Sequence, residues 1–455
     1  MTLRRPGWRF GTVHARLATL AAALALGACN SPMFDWLGGG ASQEPPLPGT
    51  RISVLTLQNQ IEPDPRIQDL QVRLPRPIEN ADWPQAGGRP NHAMQHLTLS
   101  DDPRIAWRIG IGEGSSGYKR LLAPPIAAEG IVYAMDSLGS VIAVELQNGR
   151  PRWRVGLRPE AEEEGGHGGG LAFDRGVLYV ATGYGDVLAL VAENGNELWR
   201  LRLNVPVRAA PTVGDGRVFV LTVENKLYAF DAEDGRRLWQ HEGLPENAGL
   251  IGASSPAVEG GIVVAPYTSG ELYGLRTDNG RLVWSESLTR AASAALLTTF
   301  SNINGRPVIQ DNQVYAISHA GRMVALNART GARVWDQSIG GTETPWLAGD
   351  FIFLITNEAE VVCLWRRDGR VRWVLPLARY GNPAKREDVI QWSGPVLAGD
   401  RLIVVSSKGQ AMAISPYSGD AIGQIRIPAG AYLAPIVAES NLVILTDSGD
   451  LLALR

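Results

Sequence analysis

Between Pro211 and Trp239 the chain alternates short apolar runs with polar, glycine-containing punctuation. Val218 to Val223 is an unbroken run of apolar and β-branched residues. Such a run predicts a strand covered on both faces. Leu227 to Phe230 predicts a second strand, and Leu238 and Trp239 open a third. The stretch Ala232 to Gly235 between them is turn chemistry, with glycine supplying a left-handed position. Three antiparallel strands leave two apolar faces uncovered. One such unit therefore needs neighbours stacked on both sides.

The chain supplies those neighbours. Pro125 leads to Trp153, Pro256 to Trp284, Pro307 to Trp335 and Pro345 to Trp373 at the same spacing as Pro211 to Trp239. Ala172 to Trp199 is one position shorter. Pro395 starts a copy with Gly423 in the tryptophan's place, and Pro435 starts one that stops at Arg455 before its third strand. Gly149, Gly195, Gly235, Gly280, Gly331 and Gly369 each stand four positions before a tryptophan. Unrelated hairpins would not hold that register. A period of roughly 40–50 residues is that of propeller blades. The pattern predicts an all-β fold over residues 83–455, an eight-bladed β-propeller of four-stranded antiparallel blades. The fourth strand of each blade is expected from the segment between a tryptophan and the next proline. Ile105-Ala-Trp107 looks like an orphan third strand ahead of the first copy. Pairing it with Leu451 to Leu454 would close the ring with strands from both ends of the chain and remove exposed edges.

The N-terminal part has a different character. Arg4, Arg5, Arg9 and Arg16 precede a short apolar core, Leu17 to Leu26, that is too short to span a membrane as a stable helix. Leu26-Gly27-Ala28-Cys29 follows and resembles a bacterial lipobox. Residues 1–28 are thus expected to be a lipoprotein signal peptide and Cys29 the lipidated N-terminus; an ordinary signal peptide cut near Ala28 is the other reading. Residues 29–82, rich in Gly, Pro and Ser at first, are expected to form an extended tether. Asn30, where inner-membrane retention would use aspartate, favours the outer membrane.

Composition narrows the chemistry. A net charge of −3 argues against a general nucleic-acid binder. Beyond Cys29 the remaining cysteine is Cys363, in an apolar strand, so neither an intrachain disulfide nor a Cys-x-x-Cys-His haem site can form. His92 and His96 have the spacing of a metal pair on a helix, but Pro90 and a loop-like composition argue for packing against the ring instead. Glu162 to Glu164 followed by Gly165-Gly-His-Gly-Gly-Gly170 reads as an acidic loop, since the carboxylates would repel a phosphate. No nucleophile elbow or zinc-protease motif is present. The sequence therefore assigns no catalytic, metal-binding or cofactor-binding residue.

The repeat Gly-x-[Leu/Val]-x-Ala-Leu-[Asp/Asn]-x-x-x-Gly-x-x-x-Trp, clearest from Gly321 to Trp335, resembles the PQQ-like propeller repeat. Two branches carry it: PQQ-dependent dehydrogenases, and the BamB lipoproteins of the outer-membrane β-barrel assembly (BAM) machinery. The lipobox, the tether, Trp83-Pro-Gln-Ala-Gly-Gly88 and the eight copies resemble the BamB branch. That resemblance implies a non-enzymatic scaffold without a cofactor, lipid-anchored on the periplasmic face of the outer membrane. It implies docking to a POTRA domain of BamA, contacts with other BAM subunits, and help in folding and inserting outer-membrane proteins, with the unfolded chains as clients. It also places a contact arginine in the loop before a blade proline. Val205-Pro-Val207-Arg208-Ala-Ala-Pro211 matches, so Arg208, Val205 and Val207 are the expected partner surface. The family uses acidic residues before the next blade's proline; Ile251 to Ser255 hold none, and the nearest is Glu246. The same fold leaves two alternatives, a PQQ-dependent quinoprotein dehydrogenase and a scaffold for another envelope complex. Dehydrogenases of this repeat are typically longer, and many carry an adjacent-cysteine disulfide or a haem that this chain cannot make.

Overall fold

Each repeat folds into one blade, and the short run after the blade proline is its first strand. In the third blade Thr212–Gly214 pairs with Arg217–Leu221, that with Lys226–Asp231, and that with Arg237–Glu242, all antiparallel. The fourth strand thus comes from just behind the proline, which corrects the expectation that it lies between a tryptophan and the next proline. In six of the eight blades the innermost strand is three residues long. The computed structural model describes residues 61–117, 119–160, 162, 166, 168–246, 254–289 and 302–455. The lipobox, Cys29 and residues 251–253 lie outside the described residues.

Eight four-stranded sheets make up the ring. Seven are continuous in sequence. The eighth joins Ile436–Ala438, Asn441–Leu445 and Asp450–Leu454 to Ile105–Gly110 from the other end, as the orphan strand predicted. Ile105 stands opposite Leu454 and Trp107 opposite Ala453. The middle strands, such as Phe351–Ile355, are buried along their whole length, which is what stacking on both faces demands. The outermost strands alternate between exposed and half-buried.

One interaction repeats around the disc. Each outer-strand tryptophan crosses to the next blade, where its Nε1–H donates to a backbone carbonyl: Trp107 to Leu146, Trp153 to Ala192, Trp199 to Ala232, Trp239 to Thr277, Trp284 to Ala328, Trp335 to Arg366 and Trp373 to Pro416, at 2.7–3.2 Å. The indole lies on the turn glycine there. A Cβ on Gly331, at φ +70°, would come within 2.5 Å of the Trp284 Cβ. A small residue faces each tryptophan on its own blade: Ala229 opposite Trp239, Gly274 opposite Trp284 and Cys363 opposite Trp373. Cys363 is therefore a small core residue, and burial pushes its thiol well above the ordinary range.

The compact unit begins at Ile61, so the expected boundary at Trp83 falls inside it. Residues 61–82 run over the ring: Arg372 Nε donates to the Leu70 carbonyl, and Val72 is buried in the core. Residues 80–97 then form a hub that bonds to every blade. Trp83 pairs with Ala127, the Pro84 carbonyl accepts from Phe173, and the Gln85 side chain exchanges two hydrogen bonds with Val213. Pro90 accepts from Val258, Asn91 from Ile309, and Gln95 from the Trp346 indole. Leu97 bridges Leu397 and Gly399, and Asn80 bridges Val437 and Glu439. The innermost strands would otherwise present eight unpaired edges to the axis.

Candidate functional site: the axial cavity and the Arg208 loop

The segments that run from one blade's outermost strand to the next blade's innermost strand all cross the same face of the disc. Two groups of polar residues sit on them. The first is the sequence-predicted loop. Val207 is fully buried, pairs with Thr222 and belongs to the core between the second and third blades. It holds the loop and meets no partner, which corrects its place in the expected surface. Val205 and Arg208 are half-buried, and Arg208 donates its backbone N–H to Leu221 at 2.9 Å. Burial lowers the Arg208 guanidinium from its ordinary value, and Glu246 opposes that shift. Glu246 is exposed and is raised by its own partial burial, with Thr268 and Arg208 pulling it back. The structure thus brings Arg208 and Glu246 into electrostatic contact across two crossing segments.

The glycine run has a structural part in this loop. Gly168 has φ +119°, and a Cβ there would come within 2.4 Å of the Val207 carbonyl oxygen and 2.8 Å of that of Arg208. A Cβ on Gly170 would meet Ala210 at 2.5 Å. These glycines let the Arg208 loop lie flat on the second blade, a role that the acidic-loop reading did not contain.

The second group was not singled out from the sequence. An axial cavity of about 360 Å³ opens between the crossing segments, and the hub contributes Trp83, Gly87 and His92 to its lining. Arg306, just before the fifth blade's proline, and Glu343, two residues before the sixth's, face the same space. Arg306 donates from Nη1 to Thr344 Oγ1 at 3.3 Å. Glu343 accepts from Gly394 N–H at 3.1 Å and from Ser393 Oγ at 3.5 Å. Burial pushes the Glu343 carboxyl up to about 7, against the pull of these bonds and of Arg306. Burial also depresses the Arg306 guanidinium. His92 Nδ1 lies 2.7 Å from the Pro307 carbonyl, and burial, with Arg306 beside it, lowers the imidazole to about 3. His96 turns elsewhere, to the Pro75 carbonyl and the Asp400 N–H, so the two histidines do not share a ligand. The signal in the sequence was a charged residue at a blade proline, but the members come from separate loops and no contiguous motif announces them.

The fold and this axial arrangement define a PQQ-like eight-bladed propeller. Comparison places the chain within that class: the sequence profile described as "Outer membrane protein assembly factor BamB" matches residues 137–375, more than half of its length, and the chain belongs to that family. The outer membrane protein assembly factor BamB of Shewanella oneidensis is 25% identical over 357 residues, covering 77% of this chain and 88% of the relative. The crystal structure of BamB from Moraxella catarrhalis superposes with a TM-score of 0.66 at 18% identity, covering 78% of this chain and 100% of the other. A quinohemoprotein alcohol dehydrogenase from Comamonas testosteroni has a TM-score of 0.65 at 12% identity, covering 86% and 82%, and shares the fold. The donor set does not fit the calcium-assisted quinone of that branch. Glu343 is the one carboxylate among the cavity-lining residues, whereas calcium takes about 6–8 oxygen ligands.

Proposed function

We propose that this protein is a non-enzymatic scaffold of the outer-membrane β-barrel assembly machinery, lipid-anchored through Cys29 on the periplasmic face of the outer membrane. Membership of the BamB family carries this reading. It binds a POTRA domain of BamA through the face crossed by the inter-blade segments, with Arg208 at the centre and Val205 and Glu246 beside it. Arginine suits this role because its planar fork bonds carboxylates and backbone carbonyls bidentately, and it is enriched in interface hot spots. The half-burial of Arg208 restricts its side chain before docking, so less rotamer freedom is lost on binding. Through this contact the propeller assists folding and insertion of outer-membrane proteins. Residues 1–28 serve as the signal peptide, and residues 29–60 link the anchor to the folded unit.

The test is co-purification of the lipidated protein with BamA from detergent-solubilised outer membranes, followed by calorimetry with a POTRA fragment. Recovery of the protein in the soluble periplasmic fraction would overturn the anchor. Absence of BamA from the purified material would overturn the partner.

A further inference from the structure

Ten buried side-chain polar atoms among the described residues lack a hydrogen-bond partner within the protein, and four of them belong to residues lining the one axial cavity. They are Trp83 Nε1, His92 Nε2, Asn304 Oδ1 and Arg306 Nε. Trp83 and His92 are only 4% and 5% exposed, so neither reaches bulk solvent freely. Leaving such a group unsatisfied costs about 1–3 kcal/mol, and four together at one place mark a built site rather than four accidents of packing.

The four atoms divide by chemistry. Trp83 Nε1 and Arg306 Nε are donors. The Asn304 amide oxygen is an acceptor. His92 is one as well: its Nδ1 faces a carbonyl and must carry the hydrogen, and the ring is neutral, which leaves a lone pair on Nε2. The charges are unequal. Arg306 stands in the wall, and Arg120 stands at the rim with its guanidinium 5.5 Å from the Tyr432 ring centroid. Against these two cations the lining offers Glu343 alone, itself held partly protonated at neutral pH. The size is at the lower end of small-molecule pockets, about 300–1,000 Å³.

We propose that the axial cavity binds a small organic carboxylate that also carries a hydrogen-bond donor. The carboxylate meets Arg306 and the Trp83 N–H, and the donor meets His92 Nε2 and Asn304. Nothing in the assembly role above requires this site, and the two can fail separately.

Thermal unfolding and titration calorimetry of the intact folded protein with glutamate and succinate test it, with succinamide and glucose, which carry no carboxylate, as uncharged comparators. Glutamate, which has both groups, is expected to bind saturably and to raise the melting temperature, with succinate weaker. Arg306→Gln is expected to lose about tenfold or more in affinity. Trp83→Phe removes the indole N–H, which no protein atom accepts, together with part of a buried ring, so it lowers the melting temperature and, in the folded protein, affinity falls about threefold to tenfold. If one variant fails to fold, the other decides. No saturable binding of either carboxylate at millimolar concentration, equal binding of succinamide, or unchanged affinity in the folded variants overturns the proposal, the last by placing binding elsewhere.

Discussion

The indole of Trp373 lies over Gly419, whose Cβ, if it had one, would stand 2.8 Å from the ring. It is the last lock in the series along the chain. The next outer strand, Ala421–Arg426, has Gly423 where the others have tryptophan, and its residues are exposed throughout. The reason is on the neighbouring blade. In the eighth blade the third strand, Asp450–Leu454, pairs with Ile105–Gly110 from a distant part of the chain, so no tight turn with a docking glycine joins those two strands. Gly423→Trp should therefore leave the denaturant midpoint unchanged or lower it. Gly331→Ala should cost about 3 kcal/mol or more, since the left-handed backbone and the Trp284 contact both forbid the methyl. Equilibrium urea unfolding of the two variants checks both.

Deleting Leu451 to Arg455 should remove the shared strand of the eighth blade. Ile105–Gly110 would lose its partner, and with it the backbone pair between Arg104 and Arg455. The expected outcome is a melting temperature lowered by many degrees and a loss of sharpness. A truncated protein that melts like the full chain would contradict closure by the two ends.

Glu343 and His92 should give stability opposing pH dependences. The Glu343 carboxyl is raised from 4.5 to about 7, so between these values the folded state holds a proton that the unfolded state has lost. Its contribution falls as pH rises across that window. His92 is lowered from 6.5 to about 3, so there the unfolded state takes up the proton, and its contribution falls as pH drops. The two slopes offset each other where the windows overlap. Relative to wild type, Glu343→Gln should gain stability with rising pH from about 5 to 6.5, and His92→Gln should lose it, each by at most about 1.4 kcal/mol per pH unit. Urea midpoints across that range measure the difference directly.

Arg208→Glu should weaken binding of a POTRA fragment by about tenfold or more if the arginine is a hot spot. Gly168→Val should act at a distance on the same surface, because its side chain would drive into the Val207 carbonyl and lift the loop. Calorimetry on both, with melting curves as the control, separates a lost contact from a lost fold. Wild-type affinity in Arg208→Glu would remove Arg208 from the interface.

The blades were readable because their register is local: a proline, two apolar runs, a glycine and a tryptophan recur within one short stretch. Ring closure was readable because an incomplete last copy and an orphan strand match. The first strand of a blade escapes the pattern where it is only three residues long, as Thr212–Gly214 is, because so short a run carries too little periodicity to stand out. The burial of Val207 is not legible in sequence, because an apolar residue beside an arginine looks the same whether it faces a partner or the core. The cavity was invisible because Trp83, His92, Asn304, Arg306 and Glu343 are joined only by the curvature of the ring.

The hub gives the molecule a direction in time. Asn80 to Leu97 leaves the ribosome before any blade strand has been made, yet every blade must eventually bond to it. The strand at Leu451 to Leu454 is made after the other seven blades, and it seeks a strand, Ile105–Gly110, made before all of them. A chain cut short anywhere in between has a hub with missing spokes and an edge that never finds its mate. Completion of the ring is therefore a check, performed by the fold on itself, that every blade has been made.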